Sequence, residues 1–275
     1  MFAYLLSLCL FRHKVFFEEQ QMKRKHKFLK SVILPLFIII LWWSCSKLNI
    51  WNDYILPSPG KILSVFWSMI KSGELLTHIL VSMKRVFTGF ILAFILSFVL
   101  GVYAGLASKQ QIYYNSTLEF LRHIPPISLI PLLILWFGIG EQSKIIIIVL
   151  AAFFPMFLNI KKGIQYCDAK LLEVGDTLGF SSIKKFFKIT LPYALPDVLV
   201  GMQIGFGYSW RAIIGAEMIA AASGLGYLIL DSQQMSRSDK IIIGIIIIGL
   251  IGILCDRALM AFMNKFLHTK ELKND

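Results

Sequence analysis

Six stretches of this chain are too long and too apolar for the surface of a water-soluble globule, and they narrow its possible folds more than any other feature. They run roughly over 29–47, 84–107, 118–137, 143–160, 197–221 and 240–262. A helix needs about 20 mostly apolar residues to cross the hydrocarbon of a bilayer. Lipid admits only helices and closed barrels, because no water is there to satisfy stray backbone groups. The fold class read from these runs is all-α: a polytopic membrane protein with about six transmembrane helices. Composition agrees, with 57% hydrophobic and 16% charged residues, where a soluble domain carries roughly 25% charged.

Orientation follows from the cations in the short connections. Lys23, Arg24, Lys25 and Lys27 precede the first run, Lys30 stands at its start, and Lys265, Lys270 and Lys273 follow the last. Six crossings put both termini in the cytoplasm, together with the segment that holds Lys161, Lys162, Lys170, Lys184, Lys185 and Lys188. The segment 48–83 then lies outside, although Lys84 and Arg85 sit at its end. This reading treats the net charge of +12 as a topology signal. With no basic face interleaved with aromatics, no nucleic-acid partner is expected, and the solvent for most of the chain is the lipid bilayer.

The domain organisation expected is a basic cytoplasmic segment 1–28, a membrane domain 29–267 and a short cytoplasmic tail 268–275. The opening "MFAYLLSLCLF" is too short to span and lacks the basic start of a signal peptide. Met22 begins a basic anchor followed directly by a span, so 1–21 read as an upstream extension or, alternatively, a short interfacial helix.

Little in the sequence nominates covalent chemistry. There is no GxxxxGK[ST] loop to cradle nucleotide phosphates and no HExxH pair. Five histidines and four cysteines are scattered singly, without metal or disulfide spacing. No catalytic residue, metal or bound cofactor is expected on this chain. The two halves do not repeat each other's hydropathy pattern, which speaks against a carrier built from inverted repeats.

Three features inside the apolar runs stand out. Ser97, Gly101 and Gly105 share one helix face, as do Gly201, Gly205 and Ser209. Such faces let helices approach closely in lipid, for packing within the chain or against a second subunit. "IPPISLIP" places Pro125, Pro126 and Pro131 in the third run, where they must kink the helix, either for packing or to line a wet path. Trp210, Arg211 and Glu217 lie in "SWRAIIGAEM" of the fifth run. A charge at that depth is costly unless paired or wet, so the two charges read as a structural ion pair or as elements of a path or gate.

Between the fourth and fifth runs the sequence turns polar. Asp168 can cap a helix whose Leu171, Val174 and Leu178 share a face. Gly179 suits the left-handed position just past its end. Ser181 or Ser182 can cap a second short helix, which Pro192 is expected to stop. Two short helices joined at a glycine corner suit a docking partner or, equally, a packed loop.

This segment resembles the cytoplasmic coupling motif of permease subunits of ATP-binding-cassette importers, which reads Glu-Ala-Ala, three residues, Gly, nine residues, Ile, one residue, Leu-Pro. Here Glu173, Val174 and Gly175 are followed at the same spacings by Gly179, Ile189, Leu191 and Pro192, with Val174 and Gly175 in place of the two alanines. "LPSPGKIL", "IPPISLIPLLILWFGIGEQSKI", "FFPMFLNIKKGI" and "GIIIIGLIGILCDRALM" are similar to the sulfonate, nitrate and taurine branch of these permeases, over roughly 29–267.

The resemblance implies a transport subunit rather than an enzyme, working most simply as a homodimer. It implies two ATP-binding subunits carrying ATP and Mg, and an extracytoplasmic solute-binding protein that delivers a small, anionic solute. It makes 161–196 the coupling loop, a cytoplasmic helix pair that receives ATP-driven motion. A secondary transporter or a membrane scaffold without an ATPase partner is the competing reading.

Overall fold

The computed structural model describes residues 33–48, 51–107 and 110–271. The basic N-terminal segment, the Met22 start, the first residues of run one and the end of the tail fall outside them. The described residues contain helices and no strands, and they divide into two compact units, 1–64 and 65–275.

The first unit holds helix α1, Ile33–Lys47. Alone it is too short for a span of about 20 residues. Behind it, Trp42 Nε1 donates to Pro57 O at 3.2 Å. Helix α2, Pro59–Lys71, straddles the division of the units. It starts where Pro59 needs no amide partner and where Ser58 Oγ accepts from Lys61 N.

The second unit contains the long apolar helices α3 (Glu74–Leu106), α6 (Glu141–Gln165), α9 (Leu191–Ala220) and α11 (Ser238–Glu271). Between α3 and α6 come α4 (Gln111–Arg122), a 3₁₀ turn (Pro126–Leu129) and α5 (Ile130–Phe137). Between α6 and α9 come α7 (Ala169–Thr177) and α8 (Ser182–Lys185), and α10 (Leu225–Gln234) joins α9 to α11. Four helices are long and apolar enough to cross a membrane, or five if the bent pair Gln111–Arg122 and Pro126–Phe137 counts as one span.

Helix α6 is the centre, packed on α3 along one side and α9 along the other. Both small-residue faces are spent on these seams. A Cβ on Gly101 or Gly105 would meet Ile160 or Ile164 of α6 at 3.0 Å or less, and one on Gly205 would meet the Met156 side chain. Ser97 Oγ donates to Phe153 O at 3.0 Å across the first seam. With no hydrophobic drive between helices in lipid, this close backbone approach is what binds them. Helix α11 shows most of its apolar surface outward, including Ile245, Leu250, Ile253 and Leu254.

Several sequence expectations change. The segment 48–83 carries α2 and the first turns of α3 rather than open loop. The third run is not one straight helix over 118–137, because the axis bends by 84° between α4 and the Pro126–Phe137 pair. Pro192 does not stop the second short helix. A π-helical turn, Phe186–Thr190, carries α8 straight into α9, giving one run of 39 residues from Ser182 to Ala220. Pro192 falls in the first turn of α9, and the shifted hydrogen-bond register of a π turn accommodates a residue without a donor.

Candidate functional site

The corner between α7 and α8 forms from local signals. Asp168 Oδ1 accepts from Lys170 N at 2.9 Å and caps α7, while Ser181 Oγ accepts from Lys184 N and caps α8. Gly179 has φ 66°, the left-handed geometry that costs other residues a steric clash. Gly179 N donates to Asp176 O and Phe180 N to Gly175 O, both at 2.9 Å, which closes α7 with the paired bonds of a Schellman motif. Gly175 is buried, and a Cβ there would meet Ile189 Cδ1 at 2.7 Å, so two positions of the Glu173–Pro192 pattern pack on each other. The Lys185 ammonium pairs with Asp176 and braces the two helices. Outward stand Glu173 and the apolar side chains of Leu171, Val174, Leu178, Ile183 and Phe187. Leu191 and Pro192 lead into α9.

At the other end of α6 is a cluster of a different kind. Glu217 on α9 is fully buried. Ser82 Oγ lies 2.8 Å from both its carboxylate oxygens, Arg85 Nη1 donates at 2.9 Å and Gly226 N at 3.0 Å. Arg85, buried on α3, also grips Glu141 through Nε at 2.7 Å and Nη2 at 2.6 Å, and donates to Ser223 O. Lys144 joins Glu141 at 3.0 Å, and Gly224 N donates to His78 Nδ1 at 3.0 Å. Arg85 and Lys144 balance Glu141 and Glu217, so the cluster is neutral at formal charge. The loop closes over it because Gly224, at φ 117°, has no side chain to strike the Glu217 carboxylate.

Glu217 is therefore ion-paired as one of the sequence readings had it, but its partner is Arg85, and Arg211 stands apart. Arg211 is exposed, donates from Nε to Gly207 O at 3.0 Å, and lies 5.0 Å over the Tyr208 ring. Trp210 is buried and donates to Ile248 O of α11 at 3.2 Å. Arg211, Trp210, Gln203 and Asp256 line a groove of about 480 Å³ between α9 and α11. Pro125 and Pro126 form the elbow after α4, and Pro131 sits in the first turn of α5.

Sequence reading missed Arg85, Ser82 and Glu141, taking Arg85 as a charge at the end of a loop. The available signal was Glu217 itself, since an acid at that depth requires a cation on a neighbouring helix.

Residues 97–267 match the family described as binding-protein-dependent transport system inner membrane component. The chain belongs to that family. It is a multi-pass membrane permease subunit of an ATP-binding-cassette importer. Its relatives include the putative aliphatic sulfonates transport permease protein SsuC of Bacillus subtilis, 37% identical over 89% of each chain. The taurine transport system permease protein TauC of Escherichia coli is 28% identical, over 83% of this chain and 85% of that one. The nitrate import permease protein NrtB of Synechocystis is 31% identical, over 79% and 82%. The crystal structure of an amino acid ABC transporter with histidines matches 73% of this permease and 96% of that chain, with a TM-score of 0.56 at 18% identity, a likeness of fold.

Proposed function

We propose that this permease forms the membrane path for a small oxyanion of the aliphatic sulfonate, taurine or nitrate kind, and that the α7–α8 corner is the socket through which ATP hydrolysis reaches it. The observation that carries the reading is the corner itself. Its backbone is fixed by two caps and a left-handed glycine, yet it leaves Leu171, Val174, Leu178, Ile183 and Phe187 exposed. An apolar face on a polar, basic connection is unfavourable in water unless a partner covers it.

In this reading the permease crosses the membrane six times: the four long helices, the broken pair around the elbow, and the first apolar run, which holds α1. Both termini and the α7–α8 pair face the cytoplasm, and the Arg85–Glu217 cluster lies at the outer end. Two copies pair, two ATP-binding subunits carry ATP and Mg at the corners, and an extracytoplasmic solute-binding protein delivers the solute. Arg211, beside Tyr208 and the groove between α9 and α11, lines the path. The sulfonate, taurine and nitrate permeases among its relatives support the solute class.

The test uses the complex reconstituted with its ATP-binding subunits and binding protein. Gly179→Val strains a left-handed backbone by about 1 kcal/mol or more, and Glu173→Lys reverses the exposed charge. Either change is expected to lower co-purification of the ATP-binding subunits or to uncouple hydrolysis from uptake. Wild-type assembly, solute-stimulated ATPase activity and uptake in both variants would refute the socket.

A further inference from the structure

The elbow after α4 combines a backbone break, a cationic side chain and a cavity at one depth. Arg122 and His123 end α4 and share a groove of about 280 Å³ with Leu150, Phe154, Pro155 and Tyr208. Phe154 and Pro155 lie half-way along α6, so this groove sits near the middle of the bundle. A second groove, of about 220 Å³, is also walled by Arg122, Phe154 and Leu158, and it continues along α6 to Lys161. Irregular backbone at membrane depth persists only where protein buries it or water fills the space beside it. Here the space is present, and a cation stands in it.

We propose that this elbow is an oxyanion-binding station on the transport path, with the Arg122 guanidinium as its principal donor. The inference rests on the transport reading above and adds the place where the solute is held inside the membrane. Among the described residues the Arg122 side chain has one hydrogen bond, from Nη2 to Glu119 Oε1 at 3.2 Å, and about two-fifths of that side chain is exposed. The Arg122 side chain lines both grooves, and its planar fork matches the paired oxygens of a sulfonate or nitrate.

His123 Nδ1 is engaged by Glu119 O at 2.6 Å, which fixes the ring at the mouth. Across the two grooves Arg122 and Lys161 outweigh the single carboxylate of Glu119. The apolar wall of Leu150, Phe154 and Leu158 suits the alkyl end of a sulfonate. A lipid phosphate is chemically similar, and the experiment separates the two.

The permease assembled with its ATP-binding subunits, without the binding protein, is placed in phosphatidylcholine nanodiscs and titrated calorimetrically with ethanesulfonate, with nitrate and with neutral dimethyl sulfone. Wild type is expected to bind at least one of the anions and not the sulfone. Arg122→Gln should weaken anion binding about tenfold or more, as loss of a charge-assisted pair implies, Arg122→Lys should weaken it less, and Arg237→Gln should leave it unchanged. Basal ATPase activity and co-purification certify that each variant is assembled, and Arg122→Lys carries the test if Arg122→Gln is not.

Anion binding by Arg122→Gln equal to wild type overturns the station, as does equal binding of the sulfone. Displacement of the anion by added phosphatidylglycerol assigns the site to lipid and overturns it too. None of these outcomes touches the coupling of ATPase activity through Gly179, so the station and the socket fail independently.

Discussion

The two ends of α6 are built on opposite principles. At the Glu217 end, charged side chains from α3, α6 and α9 meet in a neutral network whose donors and acceptors answer one another, buried at Arg85, Lys144 and Glu217 and open to the surface at Glu141. At the Gly179 end, backbone geometry holds the shape, and the apolar side chains are left outward. One end is complete in the single subunit. The other has the form of half an interface. On the proposed docking reading, such a subunit is rigid and yet receptive: it seals its polar groups where helices pack and leaves apolar ones outward where we propose that a partner docks.

The largest effect is expected at the sealed end. Glu217→Ala leaves the buried Arg85 with Glu141 alone, and breaking a buried pair from one side costs about 3–5 kcal/mol. Thermal unfolding of the purified permease should show a correspondingly large fall in stability. A variant as stable as the parent would mean that Glu141 suffices for Arg85. A smaller loss is expected from Arg85→Met combined with Glu217→Met, because well-packed apolar residues often replace a buried ion pair at little cost. If the double variant is no more stable than Glu217→Ala, the network matters through its hydrogen bonds to Ser82 and to the Ser223–Gly226 loop rather than through charge.

The smallest effect on stability belongs to the open end. Val174→Asp should change the unfolding of the isolated permease by no more than about 0.5 kcal/mol, as for other surface substitutions, while weakening capture of the ATP-binding subunits. A marked loss of stability in the isolated subunit would show that Val174 is packed within it, and the contrast between the ends would disappear.

The same contrast explains what could be read from sequence. The α7–α8 corner was legible, with the second cap left between Ser181 and Ser182, because Asp168 and Ser181 act on amides within three residues and Gly179 marks the left-handed turn. The small-residue faces revealed that Gly101 and Gly205 sit in tight seams, but not that α6 fills both. The polar network was hidden because Arg85 and Glu217 are 132 residues apart, and Lys84 beside Arg85 makes the pair look like a loop's charges. Pro125 and Pro126 announced a kink without its 84°. The π turn over Phe186–Thr190 had no signature at all, so Pro192 looked like a terminator.

That π turn has a mechanical consequence. Between Phe186 and Pro196 the helix combines a widened turn with two prolines, the features at which helices bend. Beyond them, Asp197 to Ala220 contains no proline and extends about 36 Å at 1.5 Å per residue. The arrangement is a shaft on a single joint: continuous backbone transmits torque from α8, and compliance is concentrated at the base. A pivot of about 5° there carries the far end about 3 Å, as far as a hydrogen bond is long. Glu217 rides near that far end, so the same pivot would have to shift α9 along its tight seam with α6 before it could part the carboxylate from its arginine.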